Sequence, residues 1–164
     1  MRIPGEYYGE KARAALRDRQ LYSAVELAQR GLRYDPKNAE LYFHEGEAYR
    51  AIAFTHRTNP DKNRENLEKA VTAYKAGLEV FPNDEHLLIR LAQALDGLKR
   101  YDEAEACFLR AIDVDPNFAV THLLYSKHLN ALGRRTEAAT QFELGHEYSD
   151  ERTIHSTIPE LENP

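Results

Sequence analysis

Small residues and prolines return in this chain at fixed intervals, and these intervals restrict the folds that it can adopt. Three series show the spacing: Ala24, Ala70, Ala104 and Ala138; Pro36, Pro82 and Pro116; and Ala12, Gly46, Ala92 and Ser126. Every step within a series is 34 or 46 residues, and the longer step always crosses the stretch from Gly46 to Ala70. The period is therefore 34, with 12 extra residues in the second copy. A period of this length is typical of stacked supersecondary units.

Each unit contains two helical patterns, which the third unit shows most clearly. Its first apolar stripe consists of Leu87, Leu88, Leu91, Ala94, Leu95 and Leu98, and its second of Ala104, Phe108, Ala111 and Ile112. We expect a turn near Lys99 and Arg100, with Asp102 as the N-cap of the second helix. Pro116 ends the unit because a proline ring cannot continue a helix.

The repeated residue types have a packing explanation. Small side chains let the two helices of a unit approach closely, and larger ones such as Tyr74, Phe108 and Phe142 then fill the space between units. A single helical hairpin cannot bury its apolar face by itself. The units are therefore expected to stack on one another.

These residues resemble the tetratricopeptide repeat. The small–small–aromatic–small–proline pattern of that family appears as Ala92, Ala104, Phe108, Ala111 and Pro116, and again as Gly46, Ala70, Tyr74, Gly77 and Pro82. Ala28 and Asp150 depart from it at the aromatic and proline positions, and the family's tryptophan is replaced by Tyr8, Tyr42, Leu88 and His122. The resemblance implies an all-α, right-handed solenoid of four helix-turn-helix hairpins. The repeats span about 5–38, 39–84, 85–118 and 119–150, which makes a domain of 1–150 with a C-terminal tail or cap at 151–164.

The 12 extra residues are expected to lengthen the second hairpin. Asn59 followed by Pro60 is a strong helix-start signal, with asparagine as the cap and proline at the first helical position. The first helix of this unit should then continue to about His56. Two interpretations of the insertion at 54–66 stay open: a solvated extension, or a contact point for an acidic partner, since its tip carries several basic residues.

In the resembled family the first helices line a concave groove that binds an extended peptide or a partner's helix. The resemblance places these residues on the groove: Gly9, Arg13, Phe43, His44, Glu47, Arg50, His86, Ile89, Arg90, Gln93, Leu123, Leu124 and Lys127. Phe43, Ile89 and Leu123 suggest an apolar row beside cationic side chains. We therefore expect a ligand that combines a short apolar segment with an acidic group, because guanidinium groups bind carboxylates in a bidentate manner.

One subfamily holds the C-terminal carboxylate of heat-shock chaperones with a lysine–asparagine–asparagine–lysine–arginine clamp. The matching positions here are Gly9, Arg13, His44, His86 and Arg90, and only Arg90 agrees. The sequence thus argues against that clamp. A looser anion site built from Arg13, His44 and Arg90 stays open, as does the alternative that these side chains pair with nearby carboxylates.

Enzymatic chemistry is not indicated. The sequence has no phosphate-binding glycine loop, no H-E-x-x-H and no paired cysteines, so we expect no catalytic residues, no metal and no cofactor. Cys107 is interpreted as a structural thiol and His128 as a hydrogen-bonded core histidine. A net charge of −5 with scattered basic residues argues against nucleic acid as a partner.

The sequence therefore favours a non-enzymatic scaffold or adaptor that binds a protein or peptide partner. No apolar run reaches the length of a membrane span, so a cytoplasmic protein is the default expectation. The alternative function is a self-assembling subunit. Ile154, Ile158 and Leu161 are candidates to cover the last helix; if they do not, Phe142, Leu144 and Tyr148 leave apolar surface for a homo-oligomer through the end faces.

Overall fold

The computed structural model describes residues 4–149, and eight α-helices account for most of that range. They are α1 (Pro4–Arg17), α2 (Leu21–Tyr34), α3 (Ala39–Thr55), α4 (Pro60–Val80), α5 (Glu85–Gly97), α6 (Tyr101–Val114), α7 (Ala119–Ala131) and α8 (Arg135–Glu147). Each consecutive pair forms a hairpin, and the described residues include no strand. The predicted all-α fold of four hairpins is confirmed. The proposed C-terminal cap falls on residues outside the described range.

The hairpins stack in chain order. Each helix packs against the next one, and α1, α3, α5 and α7 also contact one another in sequence. We call the surface of these four helices the first-helix face. A large apolar core runs through α4, α5, α6 and α7, and a smaller one lies among α1, α2 and α3. The core is thus distributed along the stack, as expected when each unit can bury its apolar side only against a neighbour.

The second hairpin is longer than the others. Its helices α3 and α4 have 17 and 21 residues, whereas the other six have 13 or 14. Pro60 is the first residue of α4, and the side chain of Asn59 accepts a hydrogen bond from the Lys62 amide at 3.1 Å. The helix start predicted from Asn59 and Pro60 is therefore present.

The three short hairpins share a turn with one residue in the left-handed region. Arg19, Lys99 and Gly133 have φ values of 56°, 60° and 76° and occupy the same position of the repeat. The turn ends at Lys99, which has a positive φ, so α6 already begins at Tyr101. Its N-cap is Arg100, whose side chain makes no capping hydrogen bond. The prediction of Asp102 as N-cap is wrong: Asp102 lies inside the first turn.

The predicted roles of the small and aromatic residues hold inside the stack. Tyr74 and Phe108 are fully buried, and a methyl group at Gly46 would overlap the Tyr74 ring. Phe142, at the equivalent position of α8, is 52% exposed. The expectation that Phe142 fills space between units is therefore wrong, because the described residues contain no further hairpin beyond α8.

Replacing Gly46 with alanine tests the close approach of α3 and α4. We expect Gly46→Ala to lower the free energy of unfolding by about 1–3 kcal/mol, because the buried Tyr74 ring has no room to move away. Urea denaturation followed by circular dichroism measures this. Gly9→Ala is the control, since its only near neighbour is the Glu40 carboxylate at 3.2 Å, the mobile end of a side chain. A Gly46→Ala protein as stable as wild type would contradict the packing account.

Candidate functional site

Two cavities open on the first-helix face. The first cavity, about 510 Å³, lies near the starts of α3 and α5 and is lined by Ala39, Glu40, Phe43, His44, Asp84, His86 and Arg90. The second cavity, about 350 Å³, lies toward the ends of α3, α5 and α7. It is lined by Arg50, Gln93, Asp96, Tyr101, Phe108, Leu124, Lys127, His128 and Ala131. The stack thus presents two neighbouring depressions on one face.

Many of the residues predicted for a peptide-binding groove line these cavities. Phe43, His44, His86 and Arg90 line the first cavity, and Arg50, Gln93 and Lys127 line the second. Leu124 also lines the second cavity, whereas five other predicted residues line neither: Gly9, Arg13, Glu47, Ile89 and Leu123. Sequence reasoning missed Tyr101 and Asp96, which reach the second cavity from the α5–α6 turn region.

The predicted apolar row is not present as an exposed feature. Ile89 and Leu123 are buried, and Gly9 at the equivalent position of α1 is buried as well. Leu123 packs against α8, where its side chain occupies the space that a Cβ at Gly145 would need. Phe43 alone among the three row residues keeps accessible surface, so the prediction of an accessible Phe43–Ile89–Leu123 row is wrong.

The cations of the looser anion site already have carboxylate partners. Glu40 accepts hydrogen bonds from Arg13 and, at 3.1 Å, from Nε2 of His44. Arg90 lies 3.6 Å from the Glu47 carboxylate. The positive charges of Arg13 and Arg90 are therefore balanced within the protein. The alternative, in which these side chains pair with nearby carboxylates, agrees with the structure. The carboxylates are those of Glu40 and Glu47.

Glu47 organises the middle of the first-helix face. Its carboxylate accepts bonds from Arg50 at 3.1 and 3.2 Å and from the Tyr74 hydroxyl at 2.6 Å, and it pairs with Arg90 across to α5. Burial alone would raise the pKa of Glu47, but the charges of Arg50 and Arg90 outweigh it and the pKa is lowered. Burial, with the nearby Glu47 charge, raises the pKa of Tyr74 well above its usual value. The network holds two cavity-lining arginines in place.

Burial sets the state of His44. It lowers the pKa of His44, and the hydrogen bond to Glu40 offsets this only in part. His44 is thus neutral near pH 7, and its Nδ1 has no hydrogen-bond partner among the described residues. His44 supplies no cation to a groove ligand at that pH.

His128 is the core histidine that the sequence predicted. It is buried, its Nδ1 donates to Asp96 at 2.6 Å, and the rings of Phe108 and Tyr125 lie 5.5 and 6.0 Å away. Burial raises the pKa of Asp96 against the opposing effect of this hydrogen bond. The pair fixes α7 against α5 beneath the second cavity.

A histidine and a lysine that line the cavities stay accessible. His86 is half-exposed and meets the Phe118 ring edge-on at 5.3 Å. Lys127 is exposed and forms no ion pair or side-chain hydrogen bond with any residue in 4–149. Lys127, and not Arg13 or Arg90, therefore presents a cation without an internal partner to an incoming ligand.

Reactive groups are not gathered at either cavity. Across 4–149 no three His, Cys, Asp or Glu side chains cluster as metal ligands would. Burial raises the pKa of the half-buried Cys107 thiol, which disfavours the reactive thiolate. Within the same range no helix combines the length and apolar character needed to cross a bilayer.

Comparison with known proteins shows which fold this is. Residues 64–127 match the family model of the tetratricopeptide repeat. TTC0263, a thermophilic TPR protein of Thermus thermophilus, superposes with a TM-score of 0.82 at 20% identity, covering 93% of this chain and 78% of its own. The Arabidopsis OM64 TPR domain gives 0.63 at 19% identity, covering 76% and 93%. None of the curated proteins matches the sequence significantly.

A third similar structure is that of human IFIT1, solved as a dimer with PPP-AAAA. It gives a TM-score of 0.79 at 18% identity, and the match covers 91% of this chain but 37% of IFIT1. Identities this low carry the fold alone. With the family match over residues 64–127 and four hairpins in register, they show that this chain has the tetratricopeptide repeat fold.

Removing the Glu47 charge tests the network at the centre of the face. We expect Glu47→Gln to lower the free energy of unfolding by about 2–4 kcal/mol near neutral pH, because two partly buried arginines lose their counter-charge. The folded-state pKa of Glu47 lies below the ordinary 4.5. Its stabilisation is therefore complete above pH 4.5 and is lost as the pH falls through the folded-state pKa.

The difference in unfolding free energy between wild type and Glu47→Gln should accordingly shrink as the pH is lowered below 4.5. Urea titrations at a series of pH values measure it. Glu143→Gln, which removes an exposed carboxylate on α8, is the matched control and should show little difference at any pH. A Glu47→Gln difference that grows toward acid would contradict the network as described.

Proposed function

We propose that this protein is a non-enzymatic scaffold whose partner segment lies across the first-helix face. The observation that carries the proposal is the pair of adjacent cavities, which together are lined by eight of the residues predicted for a groove. A peptide or helix that crosses α3, α5 and α7 would pass over both depressions. Pre-formed cavities lower the ordering cost that a partner has to overcome.

The chemistry of the face defines the partner segment more closely. An apolar side chain fits the first cavity beside Phe43, near the Phe118 and His86 rings. An acidic group fits beside Lys127 at the second cavity, where positive charge is not already neutralised. Arg50 and Arg90 contribute less, because a ligand carboxylate has to compete with Glu47 for them. The proposed ligand is thus a peptide segment in which an apolar residue is followed or preceded by an acidic one.

Nucleic acid is not part of this proposal. A net charge of −5 and internally paired arginines disfavour phosphate binding. Human IFIT1 was solved with PPP-AAAA, but this chain spans 37% of it at 18% identity, so the ligand is not carried over. That the chain binds no nucleic acid and acts in the cytoplasm stays a prediction.

A charge reversal at Lys127 tests the proposed partner face. A partner is first isolated by affinity capture and its binding segment synthesised as a peptide. We expect Lys127→Glu to weaken peptide binding about tenfold in calorimetry, since an attraction for the acidic group becomes a repulsion. Arg135→Glu makes the same charge change on α8, outside both cavities, and should bind like wild type. Equal affinity in all three proteins would refute the face as the binding site.

The alternative is self-association through the end of the stack. Phe142 on α8 is 52% exposed, although the equivalent Tyr74 and Phe108 are buried between hairpins. A second copy packing on α8 would cover Phe142 in the way that the next hairpin covers Phe108. This observation supports the second candidate function independently of the cavities.

Light scattering separates the two functions. If the end of the stack is an interface, wild type shows a molar mass that rises with concentration toward a dimer, and Phe142→Glu stays at the 18.9 kDa of one chain. The Phe54→Glu variant, which changes another exposed aromatic on α3, should behave like wild type. A wild-type mass that stays at one chain over the whole concentration range would rule out the end-face function.

A further inference from the structure

A larger cleft opens on the side of the stack away from the first-helix face. It measures about 700 Å³ and lies between α2 and α4, with α3 as its floor. Its lining consists of Gln29, Glu45, Tyr49, Asp61, Arg64, Glu65, Glu68, Lys69, Thr72, Ala73 and Ala76. None of these residues lines either of the two cavities proposed above for the partner segment.

At this cleft the first two units depart from the apolar pattern of the repeat. Between the third and fourth units, Phe108 stacks on the buried Tyr125 at 5.5 Å and fills the space. The equivalent residues between the first and second units, 80 positions earlier, are Ala28 and Glu45. A small side chain and a carboxylate thus replace an aromatic pair. Departures of this kind from an otherwise consistent core pattern are expected at functional sites.

The Glu45 carboxylate is left with a neutral partner. It accepts a hydrogen bond from the Gln29 amide at 2.8 Å, and that amide also lies 3.3 Å from the Tyr49 hydroxyl. No cation pairs with Glu45 among residues 4–149. Burial raises the pKa of Glu45. A partly buried carboxylate with one amide donor has unused acceptor capacity that a cationic donor would satisfy well.

Two other carboxylates of the cleft are already paired, whereas Asp61 and Arg64 form no ion pair with any residue in 4–149. Glu65 binds Lys69 at 2.6 Å, and Glu68 binds Arg100 at 3.2 Å. Their carboxylates therefore do not compete with Glu45 for an incoming cation. Lys69 is held by Glu65 above the Tyr49 ring, 5.8 Å from its centroid, which shows that a cation is accommodated over this ring.

The rest of the surface suits the stem of a long basic side chain. Ala73 and Ala76 form a shallow apolar wall on α4, and Tyr49 lies on the floor. Tyr22, 71% exposed, stands two turns before Gln29 on the same side of α2. Lysine and arginine have aliphatic stems that pack on apolar surface while their charged ends reach a carboxylate.

We propose that this cleft binds a lysine or arginine side chain of a partner polypeptide, with the cation donating to Glu45 and the stem lying over Tyr49, Ala73 and Ala76. The cleft is a second docking point, separate from the first-helix face. One partner segment with a basic anchor, or two different segments, would thus be held on opposite sides of the stack.

Two isosteric peptides test the proposal by NMR titration of the full chain. The probe is an acetylated and amidated Gly-Ser-Arg-Ser-Gly peptide, and its match carries citrulline, which keeps the shape of arginine but has no charge. We expect the arginine peptide to shift the amide signals of Gln29, Glu45, Tyr49, Ala73 and Ala76, and the citrulline peptide to bind at least about tenfold more weakly. Glu45→Gln should raise the Kd of the arginine peptide about tenfold.

Matched variants keep the result specific. Glu143→Gln removes an exposed carboxylate at the other end of the chain and should leave the Kd unchanged. Glu45→Leu introduces leucine, which is the residue at the same repeat position of the third unit, Leu91. It should raise the urea midpoint while abolishing binding, because the carboxylate serves a ligand and not the fold.

The proposal is overturned by any of three results. The arginine and citrulline peptides bind equally; Glu45→Gln binds the arginine peptide like wild type; or Glu45→Leu is less stable than wild type, which would make Glu45 a structural residue. Signal shifts spread over the acidic surface, without the cleft residues, also contradict it.

Discussion

The apolar side of each hairpin can be buried only against the next hairpin, and the other features of this structure follow from that constraint. Tyr74 is buried because Gly46 lets α4 approach α3, and Phe108 is buried because α7 covers it. Phe142 has the same place in its own unit and is exposed, since no described hairpin follows α8. The same side chain is therefore core in the middle of the stack and surface at its end.

Stacking also explains where the polar chemistry lies. Charged residues of the first helices face one another across neighbouring units, so a carboxylate from one unit meets arginines from its own and the next. Glu47 shows this, with Arg50 on its own helix and Arg90 on α5. The face that would meet a partner is thereby held in one arrangement before binding. Its attraction for an acidic ligand depends on the few cations, such as Lys127, that form no internal ion pair among the described residues.

The features that depend on local chemistry could be predicted from the sequence. Asn59 and Pro60 begin α4 because a cap and a first-turn proline act within a few residues. His128 could be recognised as a core residue from its place in the repeat. The N-cap of α6 was predicted two residues late, at Asp102 and not at Arg100, because nothing in the sequence shows that Lys99 adopts a positive φ.

The features that depend on contacts between units could not be predicted in the same way. The pairing of Arg13 with Glu40 joins α1 to α3, and which carboxylate a long side chain reaches is decided by the packing of the helices. Leu123 was placed on the groove by its repeat position, but Gly145 leaves space on α8 that its side chain fills. The cleft at Glu45 is lined by α2, α3 and α4, which come together only when the first two units are stacked.

Native-state hydrogen exchange tests the central claim most directly, since it reports the stability of each helix separately. If the hairpins are held by their neighbours, amides of α5, which lies in the large core with a hairpin on either side, exchange only on global unfolding. Amides of α1 and α2, with a neighbour on one side and the smaller core, should exchange through openings of lower free energy. One common opening free energy for α1, α2 and α5 would show a single cooperative block and contradict the account.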